Sequence, residues 1–203
     1  DKLKEMAECM FLLLKNKGTI LVEIQYLLNT LKDLTFDNIY HAHYNYWSLT
    51  SLVNFFKKHK VKIFKAEKID THGGSLRIYI SKNAKIKIDK SVLKILKEEE
   101  RFGLKKAVTY TDFGKKIEKL KEKVTRNIKI LKSKYKSIVG YGAPAKATTA
   151  LNYFNIKDEL DYIIEDNPLK KGKFIPGVNI KIQSKQKYQP KIDCILVLAW
   201  NFF

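Results

Sequence analysis

The sequence predicts an α/β protein of two strand-and-helix units with a helical stretch between them. Three observations carry this. Residues 19–81 run in the order strand, loop, helix, strand, turn, strand. Ile117, Leu120, Val124, Ile128 and Leu131 recur at alternating steps of three and four, as one face of a helix requires. An apolar run ending in Gly140-Tyr141-Gly142 leads straight into a helix-like segment, and two further apolar runs follow, the order of a βαβ half-unit. The boundaries read as 1–84 for the first unit, 85–135 for a helical connector and 136–203 for the second unit, and 203 residues suffice for one large or two small cores.

Taken in order, KLKEMAECMFLLLK (2–15) places Leu3, Met6, Met10 and Leu13 at helical spacing, and Asn16-Lys17-Gly18 supplies a stop. TILVEIQYL (19–27) reads as a buried strand, and the weakly periodic LNTLKDLTFDNIYHAHYNYW as a long loop with a short helical turn. In α/β folds such a loop beyond a strand end is where sites are kept. Ser48-Leu49-Thr50-Ser51 opens a helix carrying Leu49, Leu52, Val53 and Phe56 on one face. VKIFKAEKI and SLRIYISK follow as strands, with His72-Gly73-Gly74 as a tight turn between them. This is the order expected at the end of a class I methyltransferase sheet. From about residue 86 to 135 the simplest reading is a long connecting helix with a solvated charged face. Beyond it come SIVGYG, PAKATTALNYF, LDYIIEDN, GVNIKI and CILVLAW, alternately strand, helix and three strands.

The net charge of +19 suggests phosphate partners at first. Arg77, Arg101 and Arg126 are the only arginines, however, so 37 of the 40 basic residues are lysine, spread evenly. That pattern reads as a solvated lysine surface without a specific nucleic-acid site. Apolar runs such as CMFLLL and CILVLAW fall well short of the roughly 20 residues that span a bilayer, so no membrane partner is expected. Cys9 and Cys194, far apart within apolar runs, read as reduced core thiols, which implies a cytoplasmic protein. Residue 1 already lies in an amphipathic pattern and AWNFF ends on an apolar run, so the chain reads as a piece of a longer protein.

Gly140-Tyr141-Gly142-Ala143-Pro144-Ala145 fits the dinucleotide fingerprint, with Glu165 or Asp166 at the distance of a ribose-holding acid. Against it, Pro144 removes one backbone donor from the turn and Lys146 has to be accommodated there. An NAD-dependent sugar-nucleotide oxidoreductase or epimerase is therefore one reading, and a structural strand-to-helix turn another. Lys146 reads equally as a contact for a substrate diphosphate or as an exposed helix lysine. His41 and His43, with His72, could mimic a metal site, but no further ligand stands in place, and no metal is expected in this chain.

Gly140–Lys146, IEDNPLKKGKFIPGVNIKI (164–182) and LVLAWNF (196–202) together resemble the C-terminal domain of the sugar C-methyltransferase family. VEIQYLL (22–28), FDNIYHAHYNYWSLTSL (36–52) and THGGSLRIYI (71–80) resemble the preceding part in the same order. The resemblance implies the C-terminal half of a class I methyltransferase Rossmann sheet, the helical connector and a second Rossmann-like α/β domain. It also implies an enzyme that uses S-adenosylmethionine to methylate a carbon of a nucleotide-linked keto sugar. In that family the first Rossmann unit holds the cofactor, here expected upstream of Asp1, where a zinc-cysteine region is also usual. The second unit helps frame the sugar nucleotide.

Carbon methylation needs a base to remove the proton α to a ketone and a group to stabilise the enolate. Histidine suits the base role because its ordinary pKa lies near working pH. Tyr40-His41-Ala42-His43 matches the family's Y-H-E-H pattern. The match makes His43 the candidate base, Tyr40 its hydrogen-bonding partner toward the sugar or enolate, and His41 a third member of the catalytic set. Tyr44, Gly142 and Lys146 become candidate substrate contacts. Ala42 stands where the family carries glutamate, which leaves a weakened enzyme, one for a different sugar, or a non-catalytic sugar-nucleotide-binding module as alternatives.

Overall fold

The computed structural model describes residues 2–71, 73–184 and 191–200. The protein is α/β and divides into two compact units. The first comprises the residues up to Leu34 together with Asn45–Thr111, the second Thr35–Tyr44 together with Asp112 onward. The loop carrying Tyr40 and His43 thus belongs to the second unit, although its sequence is embedded in the first.

In the first unit, helix α1 (Lys2–Leu13) leads to β1 (Ile20–Gln25), α2 (Leu27–Lys32), α3 (Leu49–Lys57), β2 (Lys62–Ile69), β3 (Ser75–Ser81) and α4 (Lys90–Phe102). The strand order is β1-β3-β2, with β3 antiparallel to both neighbours. Strands β1 and β2 therefore run the same way on either side of a reversed last strand, the arrangement a terminal hairpin gives at the end of a methyltransferase-type sheet. Burial follows from this position: Leu76, Ile78 and Ile80 of the central β3 are fully buried. Strand β1 lies at the edge among the described strands, with Leu21 54% exposed, so the expected fully buried strand is instead a half-exposed one.

Two further expectations are corrected. Helix α1 buries Ala7 and Phe11, leaving Met6 and Leu13 exposed, so the buried stripe is shifted from the one the spacing suggested. Both are free cysteines; Cys9 is exposed and so not a core thiol, whereas Cys194 is half-buried and packs against the core of the second unit. The stretch that reads as one connecting helix is two, α4 and α5 (Ala107–Lys134), interrupted at Gly103, whose φ of 84° provides the left-handed cap that glycine adopts without strain.

Helix α4 is tied into the first unit by Glu99, only 1% exposed. Its carboxylate accepts hydrogen bonds from Tyr26 Oη (2.9 Å), Leu49 N (2.6 Å), Thr50 N (2.8 Å) and Thr50 Oγ1 (2.6 Å). The two backbone donors are the first of α3, left without intrahelical partners at any helix start. The rest of that start is closed by Ser48 and Ser51 in a reciprocal capping box.

In the second unit, β4 (Ile138–Tyr141), α6 (Ala145–Phe154), β5 (Ile163–Glu165), β6 (Ile182–Ser184) and β7 (Cys194–Val197) build a parallel sheet in the order β6-β5-β4-β7. Its core joins Ile138, Ala147, Leu151, Ile163, Ile180 and Leu198 with Ile128 of α5. The order reverses between β4 and β7, so the turn after β4 stands at the switch point where parallel sheets place their clefts.

Candidate active site

The loop Thr35–Tyr44 is held along α6. Phe36 packs on Tyr153 and Phe154, with ring centroids 4.8 and 5.3 Å away. Thr149 Oγ1 donates to the Ile39 carbonyl at 3.0 Å. Between these anchors, Asp37 is 7% exposed and accepts a 2.6 Å hydrogen bond from Trp200 Nε1, just past β7. Lys146, in the first turn of α6, is also 7% exposed, with its ammonium 4.3 Å from the centroid of the Trp200 ring. Burial holds the Asp37 carboxyl above its ordinary range, outweighing the Trp200 bond and the pull of Lys146. Burial likewise lowers the Lys146 ammonium, outweighing the attraction of Asp37. The exposed helix lysine that the sequence allowed is thereby corrected to a buried one.

The loop then folds back on the Asn38 carbonyl, which accepts from Tyr40 N at 3.1 Å and from His43 Nδ1 at 2.8 Å. A carbonyl can only accept, so Nδ1 carries the proton and the lone pair of the neutral ring lies on Nε2. Tyr40 Oη lies 3.0 Å from that Nε2, with the two ring centroids 4.2 Å apart. Tyr40 and His43 are thus brought together as one unit with a defined tautomer. His41 and Ala42 are exposed, the His41 ring standing edge-on to Tyr40 with centroids 6.2 Å apart, and Tyr44 is 85% exposed. His72 lies outside the described residues. Among the described residues, no group of three or more histidine, cysteine, aspartate or glutamate side chains is placed to hold a metal ion.

The glycine turn has a different occupant from the one its fingerprint suggests. A Cβ on Gly140 would come within 2.8 Å of Ile163 Cγ1, and one on Gly142, whose φ is +85°, within 2.6 Å of the Ala199 methyl. Close packing of β5 and of the segment after β7 therefore demands both glycines. Gly142 N donates to the Ile164 carbonyl (2.8 Å) and Ala143 N to Glu165 Oε2 (2.7 Å), while Pro144 has no N–H. Glu165 also accepts from Asn167 N at 3.0 Å, and Lys170 Nζ reaches the Ala143 carbonyl at 2.8 Å. Burial pushes the Glu165 carboxyl up, but the Asn167 and Ala143 amides and Lys170 prevail and leave it below its ordinary value. A carboxylate of the protein sits where a pyrophosphate would be cradled. The acids expected to hold a ribose are engaged as well, Glu165 with the turn and Asp166 with the Tyr141 hydroxyl at 2.7 Å. A depression of about 360 Å³ lined by Tyr141, Gly142, Pro144, Glu165, Asp166, Lys170 and Ala199 lies beside the turn.

Residues 70–203 of this chain match the family model of the C-methyltransferase C-terminal domain. The chain belongs to that C-methyltransferase family. It is also 31% identical over 193 residues to the C-methyltransferase NovU of Streptomyces niveus, an alignment covering 94% of this chain and 46% of that protein. The chain thus spans just under half the length of this relative. The sequence pattern singled out Tyr40 and His43, whose rings the structure brings together, but not Asp37, Trp200 and Thr149, which hold their loop. The signal available was FDN, one residue before the Y-H-A-H segment: an acid between an aromatic and an amide, where a solvent loop has no need of the aromatic. No helix among the described residues is long and apolar enough to cross a membrane.

Proposed function

We propose that the chain provides the acceptor-activating half of an S-adenosylmethionine-dependent C-methyltransferase acting on a nucleotide-linked keto sugar. The observation that carries this reading is the Tyr40–His43 pair, with Nδ1 tied to the Asn38 carbonyl and Nε2 left as the basic atom. At rest the phenol donates to Nε2. A ketone entering between the two would take the phenol hydrogen bond at its oxygen and present its α-proton to the Nε2 lone pair. His43 would then carry that proton as an imidazolium whose Nδ1–H stays on Asn38, while Tyr40 stabilises the enolate oxygen.

S-adenosylmethionine supplies an electrophilic methyl group in such chemistry. The amides of the second unit's glycine turn are taken up by Ile164 and Glu165, so that turn is not the seat proposed for it. The chain's own share is therefore the deprotonation and orientation of the acceptor. His41 and Tyr44 are exposed beside the pair and free to meet the sugar or its nucleotide. Lys146 reaches a diphosphate only if the ligand enters the Asp37–Trp200 cluster, and Gly142 contributes space rather than an amide donor. The free thiols Cys9 and Cys194 fit a reducing, cytoplasmic setting.

The test is methyl transfer from S-adenosylmethionine to a panel of keto-sugar nucleotides, read by mass spectrometry on the full-length protein. His43→Ala should lower turnover by roughly 10² to 10⁴, the usual share of a general base. Ala42→Glu, which restores the family carboxylate, should retain or raise it. Undiminished product with His43→Ala would remove His43 from the mechanism. Nucleotide binding without turnover, in both the parent and Ala42→Glu, would favour a binding module.

A further inference from the structure

A loop histidine becomes a dependable base only if something fixes its tautomer, and in this chain that task falls to a backbone carbonyl. The Asn38 carbonyl accepts from both Tyr40 N and His43 Nδ1, so its direction decides which ring nitrogen holds the proton. Asn38 is itself 1% exposed and ends the 3₁₀ turn Phe36–Asn38, and its carbonyl shares a peptide plane with the Ile39 N–H, which donates to the Phe36 carbonyl at 2.9 Å. In the middle of that turn stands Asp37, whose carboxylate meets the indole N–H of Trp200, 163 positions further along the chain. A buried carboxylate is costly unless it is hydrogen-bonded, and a charge-assisted bond of 2.6 Å has a narrow geometry. The Lys146 ammonium completes the setting from over the ring of the same indole.

We propose that Asp37 and Trp200 are positioning residues that aim the Asn38 carbonyl at His43 Nδ1 and thereby keep the Nε2 lone pair toward the substrate. The end of β7 is in this way coupled to the basicity of a loop on the far side of the chain's sequence. Neither residue touches the reacting atoms. The inference deepens the reading of His43 as the base, but its physical content, control of a tautomer, can be measured without turnover.

The experiment is long-range ¹H–¹⁵N correlation of the histidine rings in this chain, with His43 assigned by the loss of its signals in His43→Gln. The parent should show His43 protonated on Nδ1. Trp200→Phe keeps an aromatic face for Lys146 but removes the indole donor, and Asp37→Ala removes the acceptor. Both should shift His43 toward a mixture of tautomers while circular dichroism shows the fold retained. Asp37→Asn keeps an oxygen for the indole and should restore the parent tautomer. In the full-length protein, Trp200→Phe should lower kcat about tenfold, equivalent to roughly 1.4 kcal/mol, with KM little changed. An unaltered Nδ1–H tautomer in both Trp200→Phe and Asp37→Ala would overturn the proposal even if stability fell, because a merely structural latch would behave that way. Methyl transfer surviving His43→Ala would refute the base assignment and leave the tautomer result standing, so the two failures are separable.

Discussion

Glu99 offers the sharpest test of how the first unit is held together. Its carboxylate, 1% exposed, satisfies three neighbours through four contacts: the Tyr26 hydroxyl, the Leu49 amide, and the amide and hydroxyl of Thr50. Glu99→Ala leaves the Leu49 and Thr50 amides and the Tyr26 hydroxyl without their acceptor, and each orphaned buried donor costs about 1–3 kcal/mol. Thr50 is only half-buried and admits some water, so its share falls at the low end. With the small cavity added, the expected loss is about 4 kcal/mol, similar to that from breaking other buried charged networks. Glu99→Gln retains one oxygen for Leu49 and Tyr26 but turns an NH₂ toward Thr50 N, so it should cost about 2 kcal/mol. The assay is urea unfolding in a Trp200→Phe background, where Trp47, in the same unit, is the remaining tryptophan. With a slope of about 2 kcal/mol per molar urea, Glu99→Ala should lower the midpoint by about 2 M. Losses below about 0.5 kcal/mol for both variants would show that the four contacts carry no net stability and would refute the reasoning.

Acidification should weaken the same unit. Glu98 is held below its ordinary carboxyl value by hydrogen bonds from Lys32 and Lys68, so the unfolded chain binds a proton there first. The stabilisation is complete above the ordinary value of 4.5 and is lost as pH falls through the lower, folded value. Glu98→Gln should therefore flatten part of the acid limb of a melting-temperature profile, and a profile parallel to that of the parent would contradict this. Gly142→Ala should destabilise the second unit by about 2 kcal/mol or more, because a side chain at positive φ is strained and the added methyl meets Ala199; a melt within error of the parent would refute it. Titration calorimetry should detect no micromolar binding of NAD or NADP, since the turn's amides are already engaged, and such affinity at the glycine turn would overturn that account.

What the sequence made legible is what local side-chain pattern determines. SLRIYISK announces a strand, Ser48 and Ser51 a helix start, and Gly140 and Gly142 a turn whose tightness the structure explains through Ile163 and Ala199. What stayed hidden depends on partners distant in the chain. Glu99 sits in KEEER, which reads as a wet helix face until Tyr26 and the start of α3 arrive from elsewhere. Lys146 looks like any surface lysine because nothing local foretells the Trp200 ring over it. The Tyr40–His43 pair was visible as a motif, but its tautomer was not, because that rests on a carbonyl direction and on an Asp37–Trp200 bond between opposite ends of the sequence. Cys9 misled for the simpler reason that α1 turns Ala7 and Phe11 inward, and residue 9 falls on another face.

The central claim is that His43, steadied through Asn38 and partnered by Tyr40, removes the α-proton of a keto-sugar nucleotide. The most direct measurement is incorporation of solvent deuterium α to the ketone, followed by mass spectrometry on the full-length protein in D₂O with no methyl donor present. The account predicts exchange catalysed by the parent, reduced by roughly 10² to 10⁴ in His43→Ala and by a smaller factor in Tyr40→Phe. Exchange as fast in His43→Ala as in the parent would contradict it.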